Sequence, residues 1–352
     1  MRALVKQGRS AADTAVVSTQ VPTPGHGQVL FRTEAVGLCG SDVHAWQHDA
    51  GYEWVPTPVT LGHEAVGLVS DVGPGVDPDW IGKRAVPISI DGCGRCRLCQ
   101  SGRGYICPDR TVLGLSFDGA AAEACVIDAN RLVEVPRGIS ANAMVLVEPL
   151  AIALHTVSWL LGNNPSLHEE IIVTGPGPIG IMAALILHRQ GYGVTLVGAE
   201  SDVAVRLAKA ELLGLRTRAG EQLLESASSW LEASGSSQAL ATAIRHTNSG
   251  GMIVVPAIFS RIPEVDINLI TRKEITLVGS YGASRSDYTK ASCEIVKDPH
   301  FWEQLVTPFH LNDGAEALNR IRLGEVVKAI LIPETCTSSS KRSGCASPTI
   351  PN

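Results

Sequence analysis

The chain has 352 residues, 45% of them hydrophobic and 18% charged, with a formal net charge of −6. That length and apolar share suit two domains with substantial cores. The charge balance offers no basic stripe for nucleic acid and no acidic tail, so neither class of partner is expected.

The opening Met1-Arg-Ala-Leu-Val-Lys6 reads as a first strand and lacks the apolar stretch and small-residue cleavage site of a secretory leader. As far as about Asp128 the chain is turn-rich β structure. Val29 to Val36 carries strand formers, while Pro22-Thr23-Pro24-Gly25 and Gly73-Pro74-Gly75 mark turns. From about Ala141 the texture turns helical through Met144, Leu146, Leu150, Ala153, Leu154 and Val157. The longest apolar passage, Ile139 to Leu161, contains Glu148-Pro149 and His155, which argues for a buried segment and against a membrane span.

Ile171 to Thr174 then forms a short apolar strand, followed by a Gly-Pro-Gly-Pro-Ile-Gly turn, a helix-like run from Ile181 to Arg189 and a second strand, Val194 to Val197. Strand, tight turn, helix and strand make a βαβ unit, so a parallel sheet and an α/β class are expected. Further strands are expected at Ile253–Val255 and Ile275–Val278. Gly214 to Trp230 shows little strand character and a Ser-rich end, which predicts an abbreviated sheet there. The last stretch, Thr335 to Asn352, has little to bury and is expected to be disordered.

Four cysteines, Cys93, Cys96, Cys99 and Cys107, crowd into one glycine-rich run. Four thiolates at this spacing most simply close a tetrahedral structural site around Zn²⁺, with Gly92, Gly94, Gly102 and Gly104 letting the backbone bend around the ion. Disulfides are the alternative, but they suit short secreted scaffolds. Cys39, Cys125, Cys293, Cys336 and Cys345 show no paired spacing, so a reduced, cytoplasmic protein fits best.

Gly175, Gly177 and Gly180 fit the G-x-G-x-x-G dinucleotide fingerprint, and Pro178 suits the first position of the following helix. Phosphate would sit on the free N–H groups there. The slot for an acidic residue that binds the adenosine ribose holds Gly198, with Glu200 slightly beyond and Arg206 further on. NAD with Glu200 and NADP with Arg206 both remain open.

Cys39 opens C-G-S-D-V-H, His63-Glu64 follows, and Glu148 lies further on in V-E-P-L. One Cys, one His and one or two Glu suit a zinc that keeps a place for substrate and acts as a Lewis acid on an alcohol. Singly, each has a plainer explanation: a core cysteine, a buried histidine, a helix-capping glutamate. The combination lifts them above those.

C-G-S-D-V-H at 39–44, L-G-H-E-A-V-G at 61–67, the four-cysteine lobe, E-P-L at 148–150 and the glycine turn together resemble the zinc-dependent medium-chain alcohol dehydrogenase superfamily. Within it they resemble the polyol (sorbitol-like) and threonine dehydrogenase branch, over Met1 to about Pro333. The resemblance implies a GroES-like β-rich catalytic domain over 1–153, a Rossmann NAD(P)-binding domain of doubly wound parallel sheet over 154–281 and a return to the catalytic domain over 282–334. The tail would be 335–352.

The resemblance further implies two zinc ions per chain. One is catalytic, on Cys39 and His63 with Glu64 or Glu148, and the other is structural. Asp42 would orient His63, Ser41 would take the substrate proton, and His44 would pass it towards solvent. Gly175, Gly177, Pro178, Ile179 and Gly180, with Gly198, Glu200 and Arg206, would hold NAD or NADP. A homo-oligomer, dimer or tetramer, is also implied. The expected activity is oxidation of a secondary alcohol: a polyol, sugar or cyclitol first, an amino alcohol such as threonine next. A non-catalytic nucleotide-binding protein and a zinc-free reductase of activated double bonds are the readings from other classes. The segment after Gly214 is shorter than the family norm, as if a strand-helix piece were missing.

Overall fold

Residues 1–220 and 226–333 are described by the computed structural model, so the tail over 335–352 lies outside the described residues. The strand Gln28–Gly37 alternates as a half-buried strand should: Val29, Phe31, Thr33 and Ala35 face inward, and Arg32 is exposed. It lies inside a seven-stranded sheet, between Glu64–Val72 and Lys328–Ile332 along the main path, and also pairs with Ala124–Asp128. Outward from Glu64–Val72 come Arg84–Pro87 and Leu132–Glu134, and beyond Lys328–Ile332 comes Val306–His310. Two strands from the far end of the chain therefore complete a sheet begun at its start.

The register of this sheet positions chemistry. Gly37 pairs with Glu64, so Cys39, just past the end of one strand, falls beside His63 and Glu64 at the start of its neighbour. Twenty-odd residues of intervening chain are closed into one spot by an antiparallel ladder.

The second sheet has six strands, all parallel, in the order Arg216–Ala219, Gly193–Gly198, Glu170–Thr174, Ala227–Glu232, Thr247–Val255, Thr276–Gly279. This is the doubly wound order, and its direction reverses between Glu170–Thr174 and Ala227–Glu232. The expectation of an abbreviated sheet is corrected here. Arg216–Ala219 is a polar, largely exposed edge strand with no apolar signal to read, and the Ser-rich end is itself the central strand Ala227–Glu232. No helix joins these two strands among the described residues, and 221–225 lie outside them.

The helix Val147–Leu161 joins the halves. It packs on the helices Arg285–Lys297 and Pro178–Arg189 and touches both sheets. One apolar cluster consequently runs from Val66 and Val86 of the first sheet through Leu146 and Leu150 to Ile171 of the second and Leu185 of the helix Pro178–Arg189. Ala141–Leu161 is long and apolar enough to cross a membrane, but 67% of that window is buried inside the protein, as the passage's Glu and His suggested. Burying a Leu or Val side chain there contributes about 1.5–3 kcal/mol each.

Candidate active site

Cys39, His63 and Glu64 offer ligand atoms that all lie within 4.8 Å of one another. Asp42 organises them. Its Oδ2 accepts the Cys39 backbone N–H at 2.8 Å, and its Oδ1 accepts that of Gly62 at 3.1 Å. The same Oδ1 is 3.5 Å from His63 Nδ1. One fully buried carboxylate thereby ties together both segments that carry the ligands. Burial raises the Asp42 pKa, but the His63 charge and these hydrogen bonds outweigh it and leave it below the usual carboxylate range. Burial likewise works against a protonated His63. Asp42 wins again, holding the imidazole well above its ordinary range.

Glu64 is matched by Lys328, which is equally buried, pairs with its carboxylate and donates to the Leu38 carbonyl at 3.1 Å. Lys328 escaped the sequence reading. The available signal was a lone lysine inside the apolar run V-V-K-A-I-L, a placement that needs a counter-charge. Glu148 does not share the cluster of ligand atoms. Its Oε1 accepts from Ser89 Oγ at 2.6 Å, and Ser89 also meets the Tyr288 hydroxyl at 3.1 Å. Burial and the adjacent Glu64 push Glu148 up to about 7. Three converging ligands of the right chemistry, with Glu148 poised behind them, fit a zinc site with room for substrate.

Ser41 and His44 lie three residues apart on the helix Gly40–Gln47, on one face, and both line the cleft above the cluster. His44 Nδ1 meets Asp49 Oδ2 at 2.7 Å, and its ring stacks on Tyr52 at 5.2 Å. Burial and the neighbouring Cys39 push the Tyr52 hydroxyl up to about 12, so it stays a donor. The cleft holds about 650 Å³ and is closed on its other side by Ile179, Pro256, Phe259 and Ser280 of the second domain. Ile179 belongs to the glycine turn.

That turn separates the roles of its glycines. Gly175 has φ +92°, and a Cβ there would run into the backbone of Ser234. A Cβ on Gly180 would strike the Gly175 carbonyl, so the helix Pro178–Arg189 lies tight against the turn. Gly177 meets nothing within 4 Å, leaving its backbone open to a pyrophosphate at the helix N-terminus. At the end of the strand Gly193–Gly198, Gly198 packs under Pro176 and Leu207, and beyond it Glu200 is exposed at the start of a short helical turn. Arg206 is engaged by Asp202 at 3.3 Å and by the Ile321 carbonyl at 3.3 Å.

The four lobe thiols also lie within 4.8 Å of one another, with Cys96 Sγ at 3.5 Å from Cys99 Sγ and 3.7 Å from Cys107 Sγ. A tetrahedron of Zn–S bonds has edges of about 3.8 Å. None of the four is in a disulfide. Backbone N–H groups of Arg95 and Cys96 lower the Cys93 thiol to about 6, whereas burial and Cys96 raise Cys99 to about 12. The donor set fits one structural zinc.

Residues 25–137 match the model of the alcohol dehydrogenase GroES-like domain. A sorbitol dehydrogenase of Halalkalibacterium halodurans is 31% identical over 349 residues, covering 95% of this chain and 99% of its own. The chain belongs to the medium-chain alcohol dehydrogenase family. An L-threonine 3-dehydrogenase of Chelativorans sp. is 33% identical, covering 94% of this chain and 98% of its own. In fold, 2R,3R-butanediol dehydrogenase from Bacillus subtilis superposes with a TM-score of 0.82 at 24% identity, covering 95% of this chain and 99% of its own. Medium-chain dehydrogenases of this kind are α/β proteins with a GroES-like and a Rossmann-like half, and this chain is an oxidoreductase that acts on CH–OH groups.

Proposed function

We propose that the protein oxidises a secondary alcohol (a polyol, sugar or cyclitol) to the ketone with NAD or NADP, using a catalytic zinc on Cys39, His63 and Glu64. The observation that carries this reading is the single cleft lined by those three residues on one side and by Ile179 of the glycine turn on the other. Cys93, Cys96, Cys99 and Cys107 would hold the second zinc. Bound zinc would polarise the substrate oxygen, and bound nicotinamide would accept the carbinol hydride.

The chain's own groups handle the proton. Ser41 Oγ receives it from the substrate hydroxyl, and His44, one turn on and partly exposed, takes it towards solvent while Asp49 holds Nδ1. Tyr52 donates to a substrate hydroxyl, and Glu148 stands behind the ligands to exchange with Glu64. The glycine turn takes the pyrophosphate. Glu200 is exposed, and Arg206 is drawn to Asp202 and the Ile321 carbonyl, which supports a ribose hydroxyl over a 2′-phosphate.

L-Threonine or another amino alcohol is the second reading, supported by the 33% identity to a threonine dehydrogenase. The domains would divide at about 153 and 281, with the remainder up to 334 returning to the first sheet. A homo-oligomer is supported by exposed apolar side chains on the edge strand Thr276–Gly279 (Leu277, 41%) and in the segment before it (Ile262, 96%; Ile267, 62%). The reduced thiols support a cytoplasmic setting.

The test is a panel of polyols, sugars, cyclitols and amino alcohols assayed with both cofactors. The reading requires turnover of at least one hydroxylated secondary alcohol, and Ser41→Ala should lower it by about 10²–10⁴-fold with zinc content unchanged. Wild-type turnover in that variant removes Ser41 from the proton path.

A further inference from the structure

Five side chains with ionisable acidic, basic or imidazole groups line the cleft: His44, His63, Glu64, Arg110 and Glu148. Four of them are matched inside the protein, by Asp49, Asp42, Lys328 and Ser89 respectively. Arg110 is not. Its guanidinium lies 5.1 Å from the ring centroid of Tyr281, another cleft residue, and one nitrogen donates to the Cys107 carbonyl at 3.2 Å. Among the described residues no carboxylate pairs with it. It is, among the described residues, the cleft's one Arg or Lys, and it is exposed.

Its position is also built. Arg110 follows the fourth lobe cysteine, and its backbone N–H donates to the Cys107 carbonyl at 3.1 Å, so the metal lobe sets where this residue begins. The strand that follows it, Thr111–Val112, is pinned to Ile90–Asp91. Stacking on Tyr281 and the single carbonyl contact leave most of the guanidinium's five N–H donors without a protein acceptor. A planar fork of donors on a stacked, anchored arm is suited to a carboxylate or a phosphate.

We propose that Arg110 is a specificity residue that binds an anionic substituent, carboxylate or phosphate, carried by the substrate away from its reacting carbinol. The proposal rests on the reading of the cleft as an alcohol site. It narrows the substrate from a neutral polyol or sugar to an acidic one. Ser116 and Ser260, which line the same cleft, add hydroxyls for the remaining oxygens of such a group.

The test uses the zinc-loaded enzyme with reduced cofactor, which permits binding without turnover. D-Sorbitol, D-sorbitol 6-phosphate and D-gluconate are titrated calorimetrically into wild type, Arg110→Gln and Arg110→Lys, each checked for zinc content and melting temperature. One acidic probe should bind at least tenfold more tightly than sorbitol, and whichever does so names phosphate or carboxylate as the group recognised. Arg110→Gln should erase at least tenfold of that margin, and Arg110→Lys should keep part of it. Sorbitol binding as tightly as both acids, or a margin untouched by Arg110→Gln, overturns the proposal. Turnover is scored separately with the oxidised cofactor. A neutral alcohol turned over with no acidic preference defeats this inference alone. An Arg110-dependent margin without turnover of any alcohol defeats the proposed activity alone.

Discussion

Asp42 ties the candidate metal site together. With both oxygens committed to the Cys39 and Gly62 backbones and one facing His63, it sets the approach of two ligand-bearing segments at once. Asp42→Asn keeps the shape but loses the charge and one acceptor. Zinc affinity at this site should fall about 10–100-fold, read by competition with a chelator. An unchanged affinity would show that the sheet register alone holds the ligands. Cys39, His63 and Glu64 could be singled out as candidate ligands because Cys, His and Glu carry metal chemistry in their letters. Lys328 and Ser89 could not, since each acquires its partner only through folding, Lys328 from 264 positions away (328 − 64).

At the scale of single elements, the glycine turn and the seam between helices give separable behaviour. Gly177→Ala adds a methyl group into open space, so the melting temperature should hold while the dissociation constant for the nicotinamide cofactor rises at least tenfold. Gly175→Ala forces a Cβ into Ser234 at positive φ and should destabilise the fold by several kcal/mol. Equal melting temperatures for the two variants would contradict this division. The turn was readable because its spacing and flanking apolar strands are local. The edge strand Arg216–Ala219 was not, because it is polar, and what makes it a strand is its pairing with Thr195–Gly198.

The helices Val147–Leu161 and Arg285–Lys297 are joined by His155 and Asp287, 3.2 Å apart. Burial raises the Asp287 pKa, but hydrogen bonds from His155 and from the Ser284 hydroxyl and backbone bring it down to about 2. A carboxylate whose folded pKa lies below its unfolded value of about 3.9 stabilises the fold above that value and loses the effect as pH falls through the folded one. Asp287→Asn should therefore cost about 2 kcal/mol at pH 7, roughly half as much at about pH 3, and less below. Calorimetric melting across that range reads the gap, and a gap constant down to pH 3 contradicts the assignment.

For the molecule as a whole, segments within 39–64, 89–116, 148–179 and 256–282 meet at one cleft. The first sheet brings residues 28–72 together with 306–332, and the second sheet closes the opposite wall. The change from turn-rich strands to helical periodicity near Ala141 was legible in the sequence, whereas the division into two halves came from the family resemblance. The shared core was not legible, because a helix apolar on several faces reads the same whether it meets lipid or two sheets. Two candidate ligand sets at separate places predict a simple stoichiometry. The decisive measurement is zinc per chain in wild type and in Cys39→Ala, after removal of loosely bound metal. The account predicts two ions in wild type and one in the variant, with the four-cysteine lobe still loaded. One ion in wild type, or two retained by Cys39→Ala, would contradict a metal centre on Cys39, His63 and Glu64.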